Sequence, residues 1–369
     1  SNDTRFLYNL RKAVWPRLIS NGLRGGIFLV VIGSFSASAL SFVAAALSAR
    51  GLGKELFGQL AFMQTLIISL GSVLGYGLGS LNLRSGAQIK VLWDQHKLRS
   101  MINISTVSIA LSITSVLLLF AAPLYDYTKI PVWDTNPSIY IICIIALPFY
   151  CLDAVLRSSL LGFGKYGVYS IIPILGYFPY ILSISLSDDL TLIALGWLLM
   201  SVINSILSLW IFVRTFYPNM PVSSSAPEND PAKDLTSSND WLPAIISSAL
   251  VAPVQWLANL LMVNQSGSFE ATATYVVAMQ WFALLCFVPN AINRAFSPRI
   301  ASTYFLNDLP KLRKEMRWML AYSLACILVP AIFIYTFKNF ILGLYGTEFL
   351  ADTDSLNFTI FAGLAAVAA

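Results

Sequence analysis

The residues able to do chemistry in this chain are few, and most are uncharged. Asp153 and Arg157 stand four apart in an otherwise apolar run. At that spacing an acid and a base share one helical face and neutralise each other. Inside a membrane the same pair would serve as an ion or proton relay, with Asp153 as the ion-coupling group. Gln64, Gln255, Asn259 and Gln280 are amides set in apolar runs, with Gln255 and Asn259 one helical turn apart. Amides so placed either meet the hydroxyls of a polar solute or glue helices together. Ser34, Ser38, Ser41 and Ser48 follow one helical face, and Asn82 lies farther along. Arg24, Arg84, Arg294 and Arg299 stand at the ends of apolar runs. A guanidinium fork pairs bidentately with phosphate oxygens, and it also anchors a span at the membrane surface.

Enzymatic chemistry has little to work with. The chain has no phosphate-binding P-loop, nucleophile elbow or HExxH helix. One histidine, His96, leaves no basis for a His-based metal site or triad. Cys143, Cys151, Cys286 and Cys326 all lie in apolar runs without a CxxC pair, and read as small buried hydrophobes. No catalytic residue, metal or cofactor is expected.

The elements that must position the polar groups follow from composition. Of 369 residues, 57% are hydrophobic and 11% charged, and mean hydropathy is +0.71. A soluble domain carries about 25% charged residues, so this chain would expose large apolar patches in water. The solvent that tolerates them is a bilayer. Apolar runs near 25–47, 57–79, 101–122, 138–158, 167–186, 190–213, 240–262, 271–291, 317–337 and 355–369 predict about ten helical spans. They are too long and continuous for membrane β-strands. The expected fold is therefore an all-α polytopic membrane protein.

The basic residues sort by side. With the N-terminus in the cytoplasm, 19 of the 23 Lys and Arg fall in inner segments, as membrane topology requires. The net charge of +5 is thus a topology signal rather than a mark of nucleic-acid binding. Residues 1–24 alternate Phe6, Leu10, Val14 and Leu18 with basic residues, which predicts an amphipathic juxtamembrane segment. The Ser-, Pro- and Asn-rich stretch within 214–239 reads as a cytoplasmic linker. It separates an N-terminal six-helix bundle, 25–213, from a C-terminal bundle, 240–369.

An internal repeat crosses that linker. Ala61-Phe-Met-Gln64 and Val277-Ala-Met-Gln280 stand 216 positions apart, and the first and seventh spans are offset by about the same amount. Gly53 and Glu55 precede one motif, and Gly267 and Glu270 the other. Six spans per half, starting on the same side, make a parallel repeat. On that count the second bundle is truncated, with two spans to come. Polar stripes on spans 1, 2, 7 and 8 predict a water-filled cavity between the halves.

The segment Ala49-Arg-Gly-Leu-Gly-Lys-Glu-Leu-Phe-Gly58, followed by Leu60, Ala61 and Gln64, resembles the span 1–2 hallmark of O-antigen and exopolysaccharide flippases. These belong to the multidrug/oligosaccharidyl-lipid/polysaccharide exporter superfamily. Leu160-Leu-Gly-Phe-Gly-Lys-Tyr166 and Ile341-Leu-Gly-Leu-Tyr-Gly-Thr-Glu-Phe349 are similar to two further family segments. The resemblance implies two six-helix bundles, alternating access driven by an ion gradient or the membrane potential, and a bacterial inner-membrane location. It implies a lipid-linked oligosaccharide as the cargo, carried on undecaprenyl pyrophosphate, with a glycan polymerase as a further partner. Arg24, Arg84 and Arg294 would then attract the pyrophosphate, and Gln64, Gln255, Asn259 and Gln280 would meet the sugar. The rivals are a drug/cation antiporter of the same superfamily and a membrane glycan polymerase or ligase.

Overall fold

The computed structural model describes residues 23–91, 95–121, 132, 135–216, 252–305 and 309–368. The amphipathic segment (up to residue 22), the linker from 217 onward and the first half of the expected seventh span lie outside the described residues. Among the described residues the structure is helical, without strands. α1 is Leu23–Gly71, bent at Gly53, and a π-helical turn, Ser72–Gly77, leads into α2, Leu78–Val91. Then come α3, Gln95–Ala121; α4, Pro137–Gly162; α5, Tyr166–Leu186; and α6, Leu190–Phe216. α7 is Ala252–Ser266, α8 Glu270–Phe305 and α9 Leu309–Gly343. A 3₁₀ turn, Thr347–Asp352, precedes α10, Thr353–Ala368.

Among the described residues, seven helical stretches are long and apolar enough to cross a membrane. The first, Leu29–Gly86, has 58 residues, about 87 Å at 1.5 Å per residue, enough for two crossings on either side of its bend. α7 and α10 have only 15 and 16 described residues. The chain is an all-α, multi-pass membrane protein. Its surface supports this directly: Phe178, Val329 and Phe358 are 71%, 72% and 75% exposed, which water would penalise and lipid does not.

Two compact units emerge. The first holds residues up to Ala44 and Phe62–Asn264; the second holds Ala45–Ala61 and Gln265 onward. The bend of α1 thus belongs with the second unit. In the first unit Ile89, Leu98, Met101, Leu156, Leu160, Phe212 and Phe216 form a core cluster from α2, α3, α4 and α6. Phe163 meets Phe216 edge-on, with centroids 5.0 Å apart, a favoured aromatic geometry. Helices approach closely where a side chain is missing: a Cβ on Gly176 of α5 would fall on the Asn204 amide of α6. Packing through small residues is how membrane helices gain contact without a hydrophobic drive between them.

Candidate functional site

The polar groups of the first unit fall into two kinds, those whose hydrogen bonds are spent on the fold and those left open. Asn82 is of the first kind at its Nδ2, although its Oδ1 has no partner among the described residues. It is fully buried, and its Nδ2 donates to the Met101 carbonyl at 3.3 Å and to Ser105 Oγ at 3.2 Å. Asn82 therefore ties α2 to α3. Asp153 is also committed. Its Oδ2 lies 2.8 Å from Arg157 Nη2, and its Oδ1 accepts from Ser208 Oγ at 2.7 Å. Arg157 Nη2 also donates to the Tyr76 hydroxyl at 3.3 Å. Both charges are nearly withdrawn from the surface. A paired, hydrogen-bonded carboxylate tolerates burial that a lone one would not. The i,i+4 spacing thus closes an ion pair on α4, and Ser208 fastens it to α6.

Gln64 is half-buried on the second arm of α1, where its Nε2 donates to the Tyr180 hydroxyl of α5 at 3.0 Å. Asn259 on α7 is of the open kind. It is fully buried, yet neither its Nδ2 nor its Oδ1 has a partner among the described residues. The indole N–H of Trp256, one turn earlier, is likewise unsatisfied, while its ring tilts against Phe62 at 6.3 Å. Gln255 is half-buried on the same helix. An unpaired buried amide costs roughly 1–3 kcal/mol, so Asn259 and Trp256 mark a place where the fold leaves polar capacity available. Trp256 carries no sequence signal, because a Trp in an apolar run reads as core or membrane-surface aromatic. Arg84 is exposed on α2. The backbones of Arg24 and Arg294 belong to α1 and α8, and their side chains lie outside the described residues. Among the described residues no hydrogen bond joins two of the seven expected substrate-binding residues.

In the second unit, Gln280 accepts a hydrogen bond from the Tyr345 hydroxyl at 3.0 Å. Burial pushes the Tyr345 phenol above its ordinary value, so it remains a donor at neutral pH. Gln64 and Gln280, the repeat-related glutamines, thus each meet a tyrosine hydroxyl inside their own unit.

Among the described residues of the second unit, the polar groups around the bend of α1 form a cluster that was not expected as one. Gly53 takes φ +74° there, a left-handed conformation that favours glycine. That turn aims two successive residues, Lys54 and Glu55, at separate partners. The Lys54 amide donates to Glu348 Oε2 at 2.8 Å, and its ammonium sits 2.6 Å from Asp352 Oδ2. Glu55 Oε2 accepts from the Phe269 amide at 2.9 Å, at the positive N-terminal end of α8. Arg50 Nη2 reaches the Gly343 carbonyl at 3.0 Å, and Thr274 Oγ1 donates to Asp352 at 2.8 Å. Beneath them Phe57 and Phe349 pack edge-on at 6.3 Å, both buried. A Cβ on Gly58 would collide with the Phe269 carbonyl. The Arg50–Gly58 and Ile341–Phe349 segments, recognisable separately in the sequence, are therefore two sides of one clasp.

No family model matches the chain, and no curated protein matches it. Solved structures do. An inward-facing conformation of a multidrug resistance MATE family transporter of the MOP superfamily is similar over 89% of this chain and 81% of its own, at TM-score 0.64 and 14% identity. An outward-facing conformation of such a transporter is similar over 94% and 84%, at TM-score 0.57 and 17% identity. A MOP superfamily transporter from Pyrococcus furiosus, whose reverse pocket polarity suggests a different function for it, is similar over the same shares at TM-score 0.59 and 16% identity. At these identities the likeness is one of fold, and the fold is the polytopic α-helical one of MATE transporters.

Proposed function

We propose that the chain is a membrane transporter working by alternating access. The observation that carries this reading is the match along most of its length to the fold of MATE transporters, recorded in inward- and outward-facing conformations. On that fold a drug or organic-cation antiporter is the first substrate reading, because the matched structures include multidrug resistance transporters. Asp153, set in the membrane, would be the ion-coupling group.

A second reading, a flippase for lipid-linked oligosaccharide, is favoured by the polar groups themselves. Asp153 is the sole carboxylate described inside a membrane-spanning stretch of the first unit, and Arg157 already neutralises it. On α7 the groups without a partner among the described residues are uncharged: the Asn259 amide and the Trp256 indole. An indole N–H and an amide N–H donate to hydroxyl oxygens, and the amide oxygen accepts from hydroxyl donors. Arg24, Arg84 and Arg294 would then hold the pyrophosphate, and Gln64, Gln255, Asn259 and Gln280 the sugar. The sequence resemblance of the Ala49–Gly58 segment points the same way.

Two complementations separate the readings. Expression of the full chain in a host lacking its drug pumps tests for rescue of resistance to cationic drugs. Expression in hosts lacking an O-antigen flippase tests for restored surface glycan. Rescue of the first kind alone supports antiport, and of the second kind alone supports flipping. Absence of both rescues, with the protein present in the membrane, contradicts the transporter reading.

A further inference from the structure

We propose that the beginning of α9 binds the phosphate headgroup of an anionic membrane lipid. This rests on the membrane location alone and not on any transported substrate. A groove of about 570 Å³ opens there, lined by Pro310, Arg313, Lys314, Arg317, Trp318 and Ala321. These positions recur at three- and four-residue steps, so they form one face of one helix. That face holds three cationic side chains and no carboxylate. Arg313, Lys314 and Arg317 are exposed, and none makes an ion pair or hydrogen bond with any described residue. Three cations crowded on two turns repel one another. An anion with several oxygens between them relieves that repulsion, and two guanidinium forks and an ammonium supply the donors.

The order of side chains along α9 identifies the anion as a lipid's. Past the cations, Trp318 and Tyr322 stack with centroids 5.5 Å apart and planes 27° from parallel. Both are half exposed, at 51% and 50%. Amphipathic rings take that place at the headgroup level of a bilayer. Beyond them Val329 and Ile332 expose purely apolar surface. Cation, aromatic and aliphatic side chains thus succeed one another in the sequence that a phospholipid presents from phosphate to acyl chain. A free phosphate would account for the first layer only.

The test uses the full chain, purified and exposed to equal amounts of phosphatidylglycerol and phosphatidylethanolamine, with bound lipid read by native mass spectrometry. The wild-type protein should retain phosphatidylglycerol in preference by roughly tenfold. The triple variant Arg313→Gln, Lys314→Gln, Arg317→Gln should lose that preference, and Arg313→Lys with Arg317→Lys should keep most of it. A preference unchanged in the triple variant overturns the proposal. Displacement of the lipid by millimolar inorganic phosphate also overturns it, in favour of a small-anion site. Should the triple variant fail to fold, quenching by lipids brominated on their acyl chains decides. The contribution of Trp318, taken as the difference between wild type and Trp318→Phe, should be quenched more by brominated phosphatidylglycerol than by brominated phosphatidylethanolamine. Equal quenching overturns the assignment.

Discussion

Lys54 and Asp352, 298 residues apart in sequence, form an ion pair of 2.6 Å that fastens the bend of α1 to the turn before α10. Both side chains are largely shielded, at 12% and 25% exposure, so the pair lies between a solvated surface bridge and a buried one. Lys54→Met should destabilise the second unit by about 1–3 kcal/mol, because it strands Asp352 beside its remaining donor, Thr274. Lys54→Met combined with Asp352→Leu should cost less than the two single changes added together. Thermal unfolding in detergent, arranged as a double-mutant cycle, reads this; strict additivity would mean the pair is decorative.

Two glycines of the clasp should differ in kind. Gly53→Ala would place its methyl in ordinary contact with Glu348 Oε2, at 3.7 Å, but on a left-handed backbone, and should cost about 1 kcal/mol. Gly58→Ala drives a methyl into the Phe269 carbonyl and should cost about 1–3 kcal/mol or more. The order of unfolding midpoints checks the assignment, and a Gly58→Ala protein as stable as Gly53→Ala would contradict it.

Much of this architecture is legible in the sequence, because length and apolarity of a run are local quantities and the bilayer selects on both. The clasp is not. Arg50–Gly58 and Ile341–Phe349 each stand out as motifs, but nothing local says that Glu348 accepts from the Lys54 amide or that Glu55 caps the start of α8. The Asp153–Arg157 pair is legible from its spacing, whereas Ser208, from another helix, is one serine among many. Asn82 and Asn259 look alike in sequence. Only three-dimensional neighbours show that Asn82 is bonded through its Nδ2 while Asn259 is open at both its Nδ2 and its Oδ1.

That distinction is testable. Asn259→Leu replaces an unpartnered buried amide with an apolar group of similar size, and should leave stability unchanged or raise it. Asn82→Leu, which removes bonds to Met101 and Ser105, should lower stability by about 1–2 kcal/mol. If Asn259 serves a solute, transport should fall in the stable Asn259→Leu protein. Unfolding midpoints and a transport rate, measured on the same preparations, check both halves of the statement.

Asp153 and Arg157 should behave as one unit. Asp153→Asn or Arg157→Met alone leaves an uncompensated charge or an orphaned partner in the membrane, and should cost about 3–5 kcal/mol. Asp153→Leu with Arg157→Met should recover most of that loss. If the double variant folds yet no longer responds to a proton or sodium gradient, Asp153 carries ion coupling as well as structure. An unaltered gradient response would confine the pair to a structural role.

Movement of a solute across the bilayer by alternating access is tested most directly in vesicles. The full chain is reconstituted into liposomes, a proton or sodium gradient is imposed, and a fluorescent organic cation and a fluorescent lipid-linked oligosaccharide are followed in parallel. Protein-dependent movement of one of the two is expected, responsive to the gradient and reduced by Asn259→Leu. Movement of neither, from protein shown to be folded and inserted, would contradict it.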